Sequence, residues 1–113
     1  MKFIVKGQVP SKSNGYKIGG NRLYKSKELK AYEESFAWQV TKPDKSIEGK
    51  FGVELVVYFQ SNRSDLDNAA KIVLDCLQAN GIVKNDRNCY ILTMIKNIDK
   101  ENPRVLIYLY DID

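Results

Sequence analysis

Ser64-Asp65-Leu66-Asp67-Asn68-Ala69-Ala70-Lys71-Ile72-Val73-Leu74-Asp75, followed by Gly81 and then Asn85-Asp86, is the stretch that decides how this chain is read. An alternating run precedes it, Val53, Leu55, Val57 and Phe59, which reads as a strand over 51–60. From 66 to 80 the apolar period becomes helical. Ala69, Ile72, Val73 and Cys76 share one face, with Leu77 at its edge, and Asp67, Lys71, Asp75 and Gln78 share the other. Asn80-Gly81 marks the stop, glycine being suited to a left-handed cap. Two carboxylates one residue apart thus stand at a strand-to-helix junction. A lysine follows on the helix, and a third carboxylate, Asp86, comes just after it ends. In extended geometry residues two apart point to the same side, so Asp65 and Asp67 are expected to converge on one ion. Such oxygen ligands hold Mg²⁺, and Mg²⁺ held that way does chemistry on phosphates.

Each residue also has a plainer reading. Aspartate is a favoured N-cap, which accounts for Asp65 or Asp67 but not both, and leaves Asn68 without a task. Lys71 lies four residues after Asp67, an exposed pair worth about 0.3–0.5 kcal/mol. Asp75, one turn further, reads as a solvated partner of Lys71, and Asp86 as a turn residue. A helix of this length spans about 22 Å. Asp86 therefore rejoins Asp65 only if the loop folds back or the next strand lies beside 51–60. The D-x-D-N string has local likeness to an EF-hand loop, but the required glycine and terminal glutamate are missing. Aspartate-nucleophile phosphatases also place D-x-D after a strand, but need more strand–helix units than this chain has.

Outward from this centre, Phe3, Val5 and Val9 alternate with Lys2, Lys6 and Gln8, which predicts a strand over 2–9. Residues 11–25, rich in Ser, Gly, Asn and Lys with Tyr16 and Tyr24 interleaved, predict a basic loop or loose hairpin turning at Gly19-Gly20-Asn21. Ser26 can cap a helix to about Val40, with Leu29, Tyr32, Phe36 and Val40 at helical spacing. Strands are expected over 89–96 and 104–110, joined by a polar turn through Asp99 and Pro103. The expected fold is α+β: a single domain over 1–113, in β-α-β-α-β-β order, with one mixed sheet and two helices.

Composition narrows the chemistry. The net charge is +4, so the acids sit in a chain that attracts polyanions. There is no histidine, which removes histidine general bases, Ser-His-Asp triads and histidine-ligated zinc. Cys76 and Cys89 form no C-x-x-C pair and read as buried free thiols. No apolar run reaches the ~20 residues of a transmembrane helix, and the N-terminus lacks a signal-peptide run, so the expected compartment is the cytosol.

The string D-L-D-N-x-x-K-x-x-x-D-x-L, then N-G-I-V and N-D, resembles the RusA family of Holliday junction resolvases, many of them carried by phages. Val9-Pro10-Ser11-Lys12-Ser13-Asn14 is similar to that family's Pro-Ser-x-Asn opening. The resemblance implies a homodimeric, Mg²⁺-dependent endonuclease, with Mn²⁺ as a substitute ion, that nicks opposed strands of a four-way DNA junction. It matches Asp65, Asp67 and Asp86 to catalytic, metal-binding aspartates, Lys71 to an essential lysine, and Asp75 to a further acid. Two positions depart from the pattern: Asn85 stands where many relatives carry a second aspartate, and Ser64 where they carry a basic residue, with Arg63 one place earlier. Candidate DNA contacts are Lys12, Asn14, Lys17, Arg22, Lys25, Arg63 and Arg87, with Tyr16 and Tyr24 available to stack. The alternatives are a non-catalytic DNA-binding module whose acids are structural, and an Mg²⁺-dependent nuclease acting on RNA or flaps.

Overall fold

The computed structural model of the chain describes residues 1–112, without the side chains of Lys12 and Ser13. Its organising strand is β4 (Phe51–Phe59), whose alternate residues Phe51, Val53, Leu55, Val57 and Phe59 are all buried. β4 is bonded on both sides, antiparallel to β6 (Arg104–Asp111) and parallel to β5 (Cys89–Ile98). β1 (Lys2–Lys6) pairs antiparallel with β6, so the mixed sheet runs β1-β6-β4-β5. The strand expected over 2–9 stops at Lys6. Gly7, with φ of 120°, turns the chain out of the sheet while its N–H bonds the Pro103 carbonyl at 2.9 Å.

Two helices cover one face of the sheet. α2 (Lys27–Gln39) starts at Ser26, whose Oγ accepts the Leu29 N–H at 3.1 Å, and it buries Leu29, Tyr32 and Phe36 against β1 and the helix over Leu66–Ala79. α3 (Leu66–Ala79) buries Ala69, Ala70, Ile72, Val73, Cys76 and Leu77 over β4 and β5. These side chains and the inner residues of the sheet form one core. Burial pushes the Cys76 thiol up to about 12, which keeps it protonated and inert, while Cys89 is only half-buried. On the other face a cross-strand row of Ile4, Leu106, Val56 and Ile95 carries no covering layer among the described residues.

α3 ends where the sequence placed its stop. The Ile82 N–H bonds the Leu77 carbonyl and the Gly81 N–H the Gln78 carbonyl, both at 3.0 Å, and Gly81 has φ of 70°. This is the Schellman pattern, with Leu77 and Ile82 both buried in the core.

Residues 11–25 form a single helical turn, α1 (Lys12–Gly15), and a hairpin of β2 (Tyr16–Gly19) and β3 (Arg22–Lys25), in register Tyr16 opposite Lys25. Gly20, at φ 63°, makes the turn. The hairpin base is tied down by Ser26, whose N–H bonds the Gly15 carbonyl at 2.9 Å and whose hydroxyl donates to the Asn14 carbonyl. β5 and β6 are consecutive but not neighbours. Their link, residues 99–103, arches over the end of β4, where the Asp99 N–H bonds the Phe59 carbonyl at 2.8 Å. Arg104 holds the arch through Asp99 at 2.9 Å while stacking on the Tyr58 ring at 3.7 Å.

Gly81→Ala is expected to destabilise the fold by about 1–2 kcal/mol, because a Cβ is strained at positive φ. It would also approach the Lys42 side chain at 3.0 Å. A denaturant midpoint shift at unchanged slope would register the loss; an unchanged midpoint would refute it.

Candidate active site

The segment before α3 is held by hydrogen bonds from three distant parts of the chain. The Gln60 N–H bonds Gln8 Oε1 at 2.8 Å, and Gln8 Nε2 donates to Ser64 Oγ at 3.4 Å. Lys96, on β5, donates its ammonium to the carbonyls of Asn62 at 3.1 Å and Ser64 at 2.7 Å. Asn68 donates to the Pro10 carbonyl at 2.8 Å, tying the N-terminal Pro-Ser segment to the first turn of α3. Within this frame Asp65 occupies the N-cap position in extended backbone, yet its side chain makes no cap hydrogen bond and is exposed. Capping therefore does not consume this carboxylate. Asp67, also exposed, is already in the helix, so the extended geometry expected for the pair applies only to Asp65: the helix begins at Leu66, between them.

Lys71 and Asp75 lie one and two turns further along the same helix face as Asp67. Asp75 is the best-connected acid of the site. Its carboxyl is raised from the ordinary value first by burial, then by the neighbouring Asp86 carboxylate, with which it also hydrogen-bonds; Lys71 and Lys25 offset part of the rise. The Lys71 ammonium sits over the Tyr16 ring, 5.3 Å from its centre. Lys25, opposite Tyr16 at the base of the hairpin, pairs with Glu33 at 2.7 Å. That hydrogen bond is the main reason its proton is held more tightly than usual.

Asp86 is placed by the loop after α3. Its N–H bonds Gln78 Oε1 at 2.8 Å, at the C-terminal end of the helix. Asn85 takes the turn-forming role: its side-chain oxygen accepts the Arg87 N–H at 3.1 Å and caps the short 3₁₀ turn Asp86–Asn88. Asn88 Nδ2 in turn donates to the Glu48 carbonyl at 3.1 Å, and Ile47 bridges to Val83. Asn85, one of the two departures noted from the sequence, thus serves here as a cap.

The acids therefore lie in two groups. Asp65 and Asp67 are at the start of α3; Asp75 and Asp86 meet near its end, with Lys71 between. From Asp65 to Gln78, beside Asp86, the helix rises roughly 20 Å. β5 does lie beside β4, one of the two routes by which Asp86 was expected to rejoin Asp65, but in parallel, so β5 starts at the far end of the sheet. No three carboxylate or thiol side chains gather on one point among the described residues of a single chain. Each pair still suits Mg²⁺, which takes one or two carboxylates and completes its shell with water and substrate phosphate.

Of the candidate DNA contacts, Asn14, Lys17, Arg22, Arg63 and Arg87 are exposed, and the Lys12 side chain lies outside the described residues. Lys25 is drawn instead towards Glu33 and Asp75. Sequence reasoning missed Lys96, Gln8, the proximity of Tyr16 to Lys71, and the coupling of Asp75 to Asp86. Only Lys96 left a signal, as a lysine in line with the apolar Leu92 and Met94 on the inward row of β5.

Residues 7–110 match the protein family described as RusA, endodeoxyribonuclease RusA. The chain belongs to the RusA family. It is also 23% identical over 108 residues to the crossover junction endodeoxyribonuclease RusA of Aquifex aeolicus (strain VF5), an alignment covering 93% of this chain and 86% of that protein. The matched RusA span includes every residue placed above between Gln8 and Lys96. No helix among the described residues is long and apolar enough to cross a membrane.

Because the fold raises the proton affinity of Asp75, its ionised form costs stability as pH rises through the carboxylate range. Asp75→Asn is expected to raise the melting temperature at neutral pH. The gain should vanish below pH 3.8, the ordinary value, where both states are protonated. Calorimetric scans on either side of that value check the sign; a variant that melts lower at neutral pH would refute it.

Proposed function

We propose that this chain is an Mg²⁺-dependent, structure-selective endodeoxyribonuclease that resolves four-way DNA junctions as a homodimer, each copy nicking one of two opposed strands. The observation that carries the reading is the RusA match over 7–110, which spans the whole acid–lysine face of α3 and the Asp86 turn. Asp65 and Asp67 at the start of α3, and Asp86 beside Asp75 at its end, would each offer carboxylates to a cation, and the Asp75–Asp86 pair is a place where added positive charge relieves like-charge crowding. When bound, Mg²⁺ supplies charge neutralisation at the scissile phosphate and a more acidic water. Lys71, steadied by the Tyr16 ring, presents its ammonium to the charge that builds on the phosphate. Lys17, Arg22, Arg63 and Arg87 would take backbone phosphates without reading bases. A cytosolic location fits this work.

One observation favours a second reading, a non-catalytic DNA-binding module: among the described residues of one chain no three carboxylates meet. Incubating the protein with a labelled synthetic four-way junction, with Mg²⁺ or with chelator, separates the two. Paired symmetric nicks that depend on Mg²⁺ support the nuclease; tight binding without nicking supports the module.

Asp65→Asn, Asp67→Asn and Asp86→Asn are each expected to abolish most cleavage while leaving junction binding intact or tighter, since charge is removed at constant shape. Lys71→Ala should lower cleavage about 100-fold with little change in melting temperature. Single-turnover nicking rates measured beside gel-shift binding check all four. A variant that cleaves at the full rate removes its residue from the site.

Affinity for junctions should fall linearly with salt on logarithmic axes, by about 0.9 per phosphate contact on duplex arms. Replacing Lys17 and Arg22 with alanine should flatten that slope. An unchanged slope would move the DNA surface elsewhere, for instance to Lys84 and Arg87.

A further inference from the structure

The β2–β3 hairpin has two unlike faces. Its register sets Tyr16 opposite Lys25, Lys17 opposite Tyr24, Ile18 opposite Leu23 and Gly19 opposite Arg22. Opposed residues share a face and successive residues alternate. Tyr16, Lys25, Ile18 and Leu23 therefore lie on one face, and Lys17, Tyr24 and Arg22 on the other. The first face is the one that meets the acidic site, because the Tyr16 ring lies against the Lys71 ammonium and Lys25 is among the charges that act on Asp75. The Ile18–Leu23 pair stands two residues further out on that face, about 7 Å beyond Tyr16.

This pair has no place in the core. Ile18 is 79% and Leu23 68% exposed, more than any other isoleucine or leucine among the described residues. A two-stranded hairpin gains little stability from side chains left in water, and apolar surface kept exposed in this way marks a contact. The charges around the pair indicate what it contacts. No acid occurs between residues 7 and 27, whereas Lys12, Lys17, Arg22, Lys25 and Lys27 fall in that span. Lys17 and Arg22 are exposed on the face opposite the pair. Tyr24 folds its ring over Gly19, where a Cβ would stand 2.8 Å away, so the aromatic ring is held flat against the strand.

An apolar tip in a cationic frame complements nucleic acid whose bases are accessible. Isoleucine and leucine are among the side chains that wedge between base steps. Wedging costs the stacking of the step that it opens, and the cost is least where stacking or pairing is already interrupted. In a four-way junction that place is the branch point.

Resting on the nuclease reading, we propose that Ile18 and Leu23 form a wedge that enters the bases at the branch point, and that this contact makes the chain prefer branched to linear DNA. The phosphate contacts of Lys17 and Arg22 serve both kinds of DNA alike. The step opened by the wedge lies beside the acid–lysine face of α3, because the pair shares a hairpin face with Tyr16.

The probe is a synthetic four-way junction carrying 2-aminopurine at the branch point, in chelator so that no strand is cut. Wild-type protein should raise its fluorescence several-fold, as the base loses its stacked neighbours, and should leave a 2-aminopurine in mid-arm unchanged. Ile18→Ser combined with Leu23→Ser should give no rise, and should lower the ratio of junction to duplex affinity about tenfold. Duplex affinity and the melting transition should be retained. Should the double variant lose that transition, each single serine variant takes its place with the same readings. Lys17→Ala combined with Arg22→Ala should instead weaken both DNAs together and keep the rise. A serine variant that keeps either the rise or the preference overturns the proposal. A wild type that gives no rise also overturns it, and leaves the pair to a protein partner. Nicking of unlabelled junction by wild type in Mg²⁺ judges the nuclease reading separately: its absence sinks that reading, while the fluorescence still judges the wedge.

Discussion

Parallel pairing of β4 with β5 obliges the chain to travel back along the whole sheet between them, and α3 is that return path. Everything about the site follows from this. The residue that ends the loop after β4 stands at one end of α3, and the turn that starts β5 stands at the other. Asp65 and Asp86 are consequently held at opposite ends of one rigid element. The helix buries six residues over β4 and β5, so its polar face, with Asp67, Lys71 and Asp75, must point away from the core. A helix with this much buried surface does not bend to bring its ends together.

The local charge pattern opposes the global one. The chain carries net +4, yet α3 presents a row in which a lysine stands between aspartates and a fourth acid arrives from a loop. Burial and Asp86 together make Asp75 the most perturbed carboxyl of the site, and two lysines from different elements, Lys71 and Lys25, limit the rise. Lys25 is the tip of a further link, through Glu33, to α2. The hairpin that carries Tyr16 and Lys25 is therefore part of the acidic site's electrostatics.

Placement of the site rests on hydrogen bonds to main-chain carbonyls. Asn68 to Pro10, Lys96 to Asn62 and Ser64, and Asn88 to Glu48 each fasten a loop to a regular element. Such bonds hold the backbone near the acids without occupying a carboxylate. The side chain of Asp65 is left unengaged as a cap for the same reason: the loop is already fixed by others.

Local patterns were enough to place most elements. The alternation of 51–59, the helical spacing of 27–39 and 66–79, the Ser26 cap and the Gly81 stop are all short-range choices, made by side-chain period and backbone conformation within a few residues. The candidate residues were legible too, because Asp65, Asp67 and Lys71 sit at fixed offsets along one element. What the alternating pattern could not specify was strand order, since β5 and β6 read alike whether they pair with each other or flank β4. Nor could it reveal that Lys96 holds the Asp65 loop, that Asn85 caps the Asp86 turn, or that Asp75 and not Asp65 is the neighbour of Asp86. Those relations depend on which ends of which strands share an end of the sheet, and only the tertiary packing of α3 between β4 and β5 decides that.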